Sequence, residues 1–218
     1  PGPLALRYQA QVDLLPLLTP PELAETSIAW LPDEMLRYLL PSRYVESDSL
    51  FGQAQQLFGA APPGLARVQQ ISQWIHDHVA YVPGTSNAET AASQVLAQRS
   101  GVCRDFAHLG IAFCRALGIP ARLVVGYVRF AEPPQDFHAI FEAWLGGQWV
   151  LFDPTQMAPT DRLVRVGTGA DAKDVAFATF FGPVAFVDKQ ITVSEQVSET
   201  PLAAPPPVVQ GVQVQHAG

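Results

Sequence analysis

The stretch from His138 to Thr155, HAIFEAWLGGQWVLFDPT, constrains the fold of this chain more than any other part of it. Two β-rich runs flank Gly146-Gly147, the kind of pair a two-residue hairpin turn needs because both central residues take positive φ. Such a turn sets Leu145 opposite Gln148, Trp144 opposite Trp149 and Ile140 opposite Asp153. Side chains alternate along a strand, so His138, Ile140, Glu142 and Trp144 share a face with Trp149, Leu151 and Asp153. His138 and Asp153 become diagonal neighbours, their Cβ atoms under about 7–8 Å apart, within reach of an imidazole–carboxylate hydrogen bond. A single bulge would reverse the parity and part them.

Upstream, CRDFAHLGIAFCRALGIPA predicts a helix over 103–117. Phe106, Leu109, Ala112, Phe113 and Ala116 form its apolar stripe, and Gly118 with Pro120 stops it. Cys103 falls at the first turn, where free N–H groups and the helix dipole favour negative charge, and a thiolate is the nucleophilic form of cysteine. Taken alone, Cys103 reads as a buried helix cysteine; the hairpin beside it makes it a candidate nucleophile. Cys114, in mid-helix, reads as packing. The two cysteines are eleven residues apart. On one helix that is about 16 Å, too far for a bridge, so both are expected to be free thiols in a reducing, cytoplasmic setting.

Other polar residues near these fall out on geometry. Asp105 lies about 200° around the helix from Cys103 and serves the helix N-terminus, and His108, about 140° away, reads as structural. His76 and His78 diverge on their own helix, so no metal site is expected. Trp144, Trp149 and Tyr127 fit either a groove or, more commonly, a packed core.

The remaining pattern is helices first and strands after, an α+β order. Leu4–Val12 alternates like one strand, and Thr19 before Pro20-Pro21-Glu22 looks like a helix start. Helices are expected from Asp48 to Gly59, from Pro62-Pro63 to near Tyr81, and over 88–98 with Ser86 or Asn87 as N-cap. RLVVGYVRF (122–130) and KQITVSEQV (189–197) read as strands. The chain divides into 1–60 (a strand and short helices), a core at 61–199, and a proline-rich tail at 200–218.

With 48% apolar and 15% charged residues the chain can bury a full core, and its formal charge of −7 leaves no basic footprint for nucleic acid or an anionic membrane. No apolar run approaches the roughly 18 residues of a membrane span, and the N-terminus lacks a signal-peptide layout.

The motifs SGVCRDFAHLGIAFCRALGIPARLVVGY and FHAIFEAWLGGQWVLFDPT together resemble the transglutaminase-like superfamily over roughly residues 65–160. YLLPSRYVESD (38–48) and GTGADAKDVAFATFFG (167–182) resemble its bacterial branch, whose members are described as cysteine proteases. That resemblance implies a papain/transglutaminase-like core, with the catalytic helix packed on an antiparallel sheet. It places the nucleophile on Cys103, the base on His138 and the third member on Asp153, with no cofactor. Ile140 departs from the Trp that relatives often carry after His-Ala, which alters a wall and not the chemistry. In that branch a small β-domain precedes the catalytic one, and here Leu4–Val12 is expected as its last strand.

The roles suit a thioester mechanism on a polypeptide or peptide-like amide: Cys103 attacks the carbonyl carbon, His138 moves the proton, and Asp153 orients the ring. The Cys103 N–H can donate to the oxyanion; Tyr81, Thr85, Asn87 and Gln94 are candidates for the second donor. Transfer of the acyl group to an amine uses the same three residues. A non-catalytic binding module that keeps the fold is the alternative of another class, and an intact set of three speaks against it.

Overall fold

Helices cover one face of a four-stranded antiparallel sheet, in a computed structural model that describes residues 2–14, 19–20, 22–132 and 134–196. Along the chain run α1 (Asp33–Leu36), α2 (Phe51–Phe58), α3 (Leu65–His78), β1 (Ala80–Tyr81), α4 (Ala92–Gln98), β2 (Ser100–Gly101) and α5 (Cys103–Ala116). Then come β3 (Ala121–Tyr127), β4 (Phe137–Leu145), β5 (Gln148–Phe152) and β6 (Val164–Gly169). The sheet order is β5-β4-β3-β6, and β1 pairs in parallel with β2 as a separate two-stranded ribbon.

The centre is α5. Phe106, Leu109, Ala112 and Phe113, the expected stripe, are buried against α2, α3 and α4 on one side and β3 and β4 on the other. Gly110 faces the sheet so closely that a Cβ there would come 2.5 Å from the Phe141 ring. Burying each such large side chain contributes about 1.5–3 kcal/mol, so the helix is held in place by its packing. β4 is buried on both faces. Ala139, Phe141, Ala143 and Leu145 join the helical core, while Ile140 joins Val124, Val128, Phe130 and Leu163 in a second cluster. Trp144 and Trp149 pack with Tyr38, Leu31 and Met35, the core use of these aromatics.

Polar joints complete the frame. The buried Arg115 guanidinium donates to the carbonyls of Leu40, Ala121 and Ala170, tying the end of α5 to three separate stretches. Glu142, fully buried, accepts from Arg122 at 2.5 Å and Arg165 at 2.6 Å. Gly146 and Gly147 take φ of 57° and 81°, and the β4–β5 register is the one a two-residue turn dictates, Trp144 opposite Trp149 and Leu145 opposite Gln148.

Several sequence expectations fail, for identifiable reasons. Leu4–Val12 forms no strand: Leu4, Leu6 and Tyr8 are each more than four-fifths exposed, and alternation without a neighbouring edge leaves the backbone unpaired. Thr19 opens no helix; the first helical turn comes at Ile28–Trp30, as a 3-10 turn. Residues 189–196 carry no regular structure, and residue 197 lies outside the described residues. The edge of β3 is taken instead by β6, which sequence reading missed. α3 stops at His78, and the chain turns extended at Ala80–Tyr81 to pair with Ser100–Gly101, a stretch the sequence suggested only as a helix break. α4 starts at Ala92, where Gln94 Oε1 accepts the Ala91 N–H; Asn87 instead closes a turn with Glu89 N–H. The proline-rich stretch 200–218 also lies outside the described residues.

Candidate active site

Cys103 is the first residue of α5. The turn beneath it is pinned by Asp105, whose Oδ2 accepts the Val102 N–H at 2.8 Å and whose Oδ1 pairs with Arg104 at 2.9 Å. Asp105 is fully buried, so it serves the helix start, as its angular position requires. The first N–H groups of the helix have no intrahelical acceptor and point out at the Cys103 end. Cys103 is half-buried and Cys114 fully buried, both free. Burial pushes the Cys114 thiol well up, which keeps it in its unreactive form.

His138 is the second residue of β4, opposite Gly126 of β3. Its Nε2 lies 2.8 Å from Asp153 Oδ2. Asp153 stands one residue past β5, and its other oxygen, Oδ1, accepts the Thr155 N–H at 2.9 Å and the Thr155 hydroxyl at 2.7 Å. With Nε2 directed at a carboxylate, the neutral ring carries its proton there and presents the Nδ1 lone pair. Nδ1 makes no hydrogen bond. Phe130 stands edge-on to the ring, 5.2 Å between centroids, closing its other side. Burial disfavours charge on the imidazole, but Asp153 and the Cys103 thiol outweigh it and hold the pKa up at about 9.

The structure thus joins two of the sequence candidates directly, the imidazole from β4 and the carboxylate from the end of β5, and the Cys103 thiol at the helix start is near enough to raise the pKa of the ring. Such an arrangement can store a proton on the ring while a sulfur carries negative charge. Thr155 and Phe130 were missed from sequence. Thr155 had a readable signal, since Asp-Pro-Thr is a turn in which the carboxylate takes the N–H two residues on. Phe130 had none: the sequence sets it at the end of a strand over 122–130, whereas β3 stops at Tyr127 and Phe130 lies on the loop beyond.

The other candidates are used elsewhere. His108 is buried, stacked 5.3 Å from Tyr44, and its Nε2 accepts the Ala172 N–H. His78 stacks on Trp74, whereas His76 reaches the Pro154 carbonyl at 3.2 Å. Among the described residues no group of His, Cys, Asp and Glu is arranged to hold a metal ion, and no helix is long and apolar enough to cross a membrane.

Residues 52–154 match the family model of the transglutaminase-like superfamily. A crystal structure of a "putative cysteine protease" from Cytophaga hutchinsonii is 46% identical, with a TM-score of 0.71, over 74% of this chain and 56% of that one. Uncharacterized proteins of Mycobacterium leprae and Mycobacterium tuberculosis are 37% and 34% identical, each over 50% of this chain. The chain spans 42% and 39% of the length of those two relatives. With its antiparallel sheet, central helix and matching motifs, this chain carries the features of the transglutaminase-like superfamily over residues 52–154.

Proposed function

We propose that the protein is a cysteine-dependent hydrolase that cleaves an amide or peptide bond through a thioester, with Cys103 as nucleophile, His138 as base and acid, and Asp153 as the orienting carboxylate. The observation that carries this reading is the imidazole held by Asp153 through Nε2 at 2.8 Å, with Nδ1 left unbonded and the Cys103 thiol acting on the ring. The proton given up by Cys103 rests on His138 Nδ1, held there at neutral pH by a pKa of about 9, while Sγ bonds to the carbonyl carbon. The tetrahedral intermediate collapses, the C–N bond breaks, and the amine leaves with that proton. Water, deprotonated by the same nitrogen, then releases the acid and regenerates the thiol. The likeness to a chain described as a cysteine protease supports a peptide substrate.

The test is iodoacetamide labelling at neutral pH, followed by turnover of a glutamine-containing peptide. Selective modification of Cys103, lost in His138→Ala, with release of ammonia or a peptide fragment, is the expected result. Equal labelling of Cys114, or labelling indifferent to His138, would sink the proposal. Adding a primary amine separates release into water from transfer onto nitrogen.

A further inference from the structure

A thioester mechanism needs two donors for the oxyanion, and the Cys103 N–H supplies one. Of four upstream polar candidates, Thr85 spends its hydroxyl on the Val82 carbonyl at 2.7 Å, and Asn87 and Gln94 are anchored through their side-chain oxygens, to the Glu89 N–H at 2.7 Å and the Ala91 N–H at 2.9 Å. Tyr81 is different. The β1–β2 ribbon sets it opposite Gly101, two residues before Cys103, with the Val82 N–H donating to the Gly101 carbonyl at 2.9 Å. Its ring leans on Phe106, one helical turn beyond Cys103, at 5.9 Å between centroids. The phenol therefore sits beside Cys103, close enough for that residue to shift its ionisation.

We propose that the Tyr81 hydroxyl is the second oxyanion donor, completing with the Cys103 N–H the hole in which the carbonyl oxygen of the substrate takes up its charge. This rests on the amide-cleaving reading above. As Sγ bonds to carbon, the π pair of the carbonyl moves onto oxygen, which accepts from Cys103 N–H and Tyr81 O–H. No proton leaves Tyr81. Collapse returns the pair to the C=O bond and expels the amine, which takes its proton from His138. Burial, with the neighbouring Cys103 charge, pushes the phenol's ionisation up to about 12, so the hydroxyl keeps its proton at working pH. A ring tip on a two-residue strand, with Tyr81 42% exposed, has the room to adjust to the incoming carbonyl.

Two reactions of Cys103 separate this role from any effect on the thiol. Acylation by p-nitrophenyl acetate passes through an oxyanion; alkylation by iodoacetamide displaces iodide from a saturated carbon and does not. In Tyr81→Phe, acylation is expected to slow by about 100-fold while alkylation stays within about twofold of the unmodified chain. Unchanged or faster acylation would overturn the proposal, as would an equal fall in both reactions, which would place Tyr81 on the thiol. If Cys103 of the unmodified chain is not acylated at all, the hydrolase reading fails first and takes this inference with it.

Discussion

Gly110 of α5 and Phe141 of β4 are in van der Waals contact with no space between them for even one carbon: a Cβ on Gly110 would lie 2.5 Å from Phe141 Cε1. The helix that begins at Cys103 can therefore lie directly on the strand that carries His138. Gly110→Ala gains about 1 kcal/mol of helix propensity and loses about 1–3 kcal/mol to overpacking. Because the ring is fully buried and α5 is fixed on both sides, the loss is expected at the upper end and the melting temperature to fall. Gly52→Ala in α2, where nothing lies within 4 Å of the new Cβ, is expected to raise it. Thermal unfolding of the two variants checks the contrast, and a more stable Gly110→Ala chain would refute it.

His138 makes stability depend on pH on the alkaline side. Its native pKa, about 9, is above the ordinary value of 6.5. The stabilisation is therefore complete below about 6.5, where both states are charged, and is lost as pH rises through about 9. Asp153→Asn removes the larger of the two partners that oppose burial, leaving the Cys103 thiol, so the imidazole should titrate well below about 9 and the alkaline loss should shrink. An NMR titration of the ring, with urea unfolding at pH 6 and pH 9, measures both. A ring that titrates identically in the two proteins would contradict this.

His108 acts at the opposite end. Burial first, then the Arg104 guanidinium, lower its pKa from 6.5 to about 3. Its neutral form costs nothing above about 6.5, and stability is lost as pH falls from there toward about 3, where the unfolded chain takes up a proton that the folded one refuses. His108→Gln is expected to flatten that acid limb between pH 6.5 and 4 in urea titrations, leaving stability at pH 8 less affected.

The two arginines on Glu142 are unequal. The Arg122 side chain is 16% exposed and lies 4.0 Å over the Trp149 ring, whereas that of Arg165 is 38% exposed. Arg122→Ala removes a cation–π contact as well as an ion pair from a fully buried carboxylate, so it should destabilise more than Arg165→Ala, by about 1 kcal/mol. Equal denaturation midpoints would show that the Trp149 contact contributes nothing.

What could be read from sequence was what depends on local rules. The register around Gly146-Gly147 follows from turn chemistry, and the burial of Phe106, Leu109 and Phe113 follows from helical period. The relation of His138 to Asp153 needed only those rules. What depends on distant partners was not legible. Leu4–Val12 alternates as well as any strand but has no edge to join, and Val164–Gly169, half glycine and threonine, forms one because β3 has an edge free. The pairing of Ala80–Tyr81 with Ser100–Gly101 joins segments separated by a helix, and no periodicity announces it. Tyr81 accordingly stood among four equal candidates until the ribbon was seen.

That ribbon divides the candidate site into two halves assembled in advance. Tyr81 and Cys103 are coupled through the Tyr81–Gly101 pairing, and His138 and Asp153 through one hairpin and one hydrogen bond. A shift between the two layers would leave each half intact and change chiefly the gap from sulfur to imidazole. The two backbone frames keep their form while the gap between them is the dimension left to adjust, much as a vice closes on its work without its jaws being rebuilt.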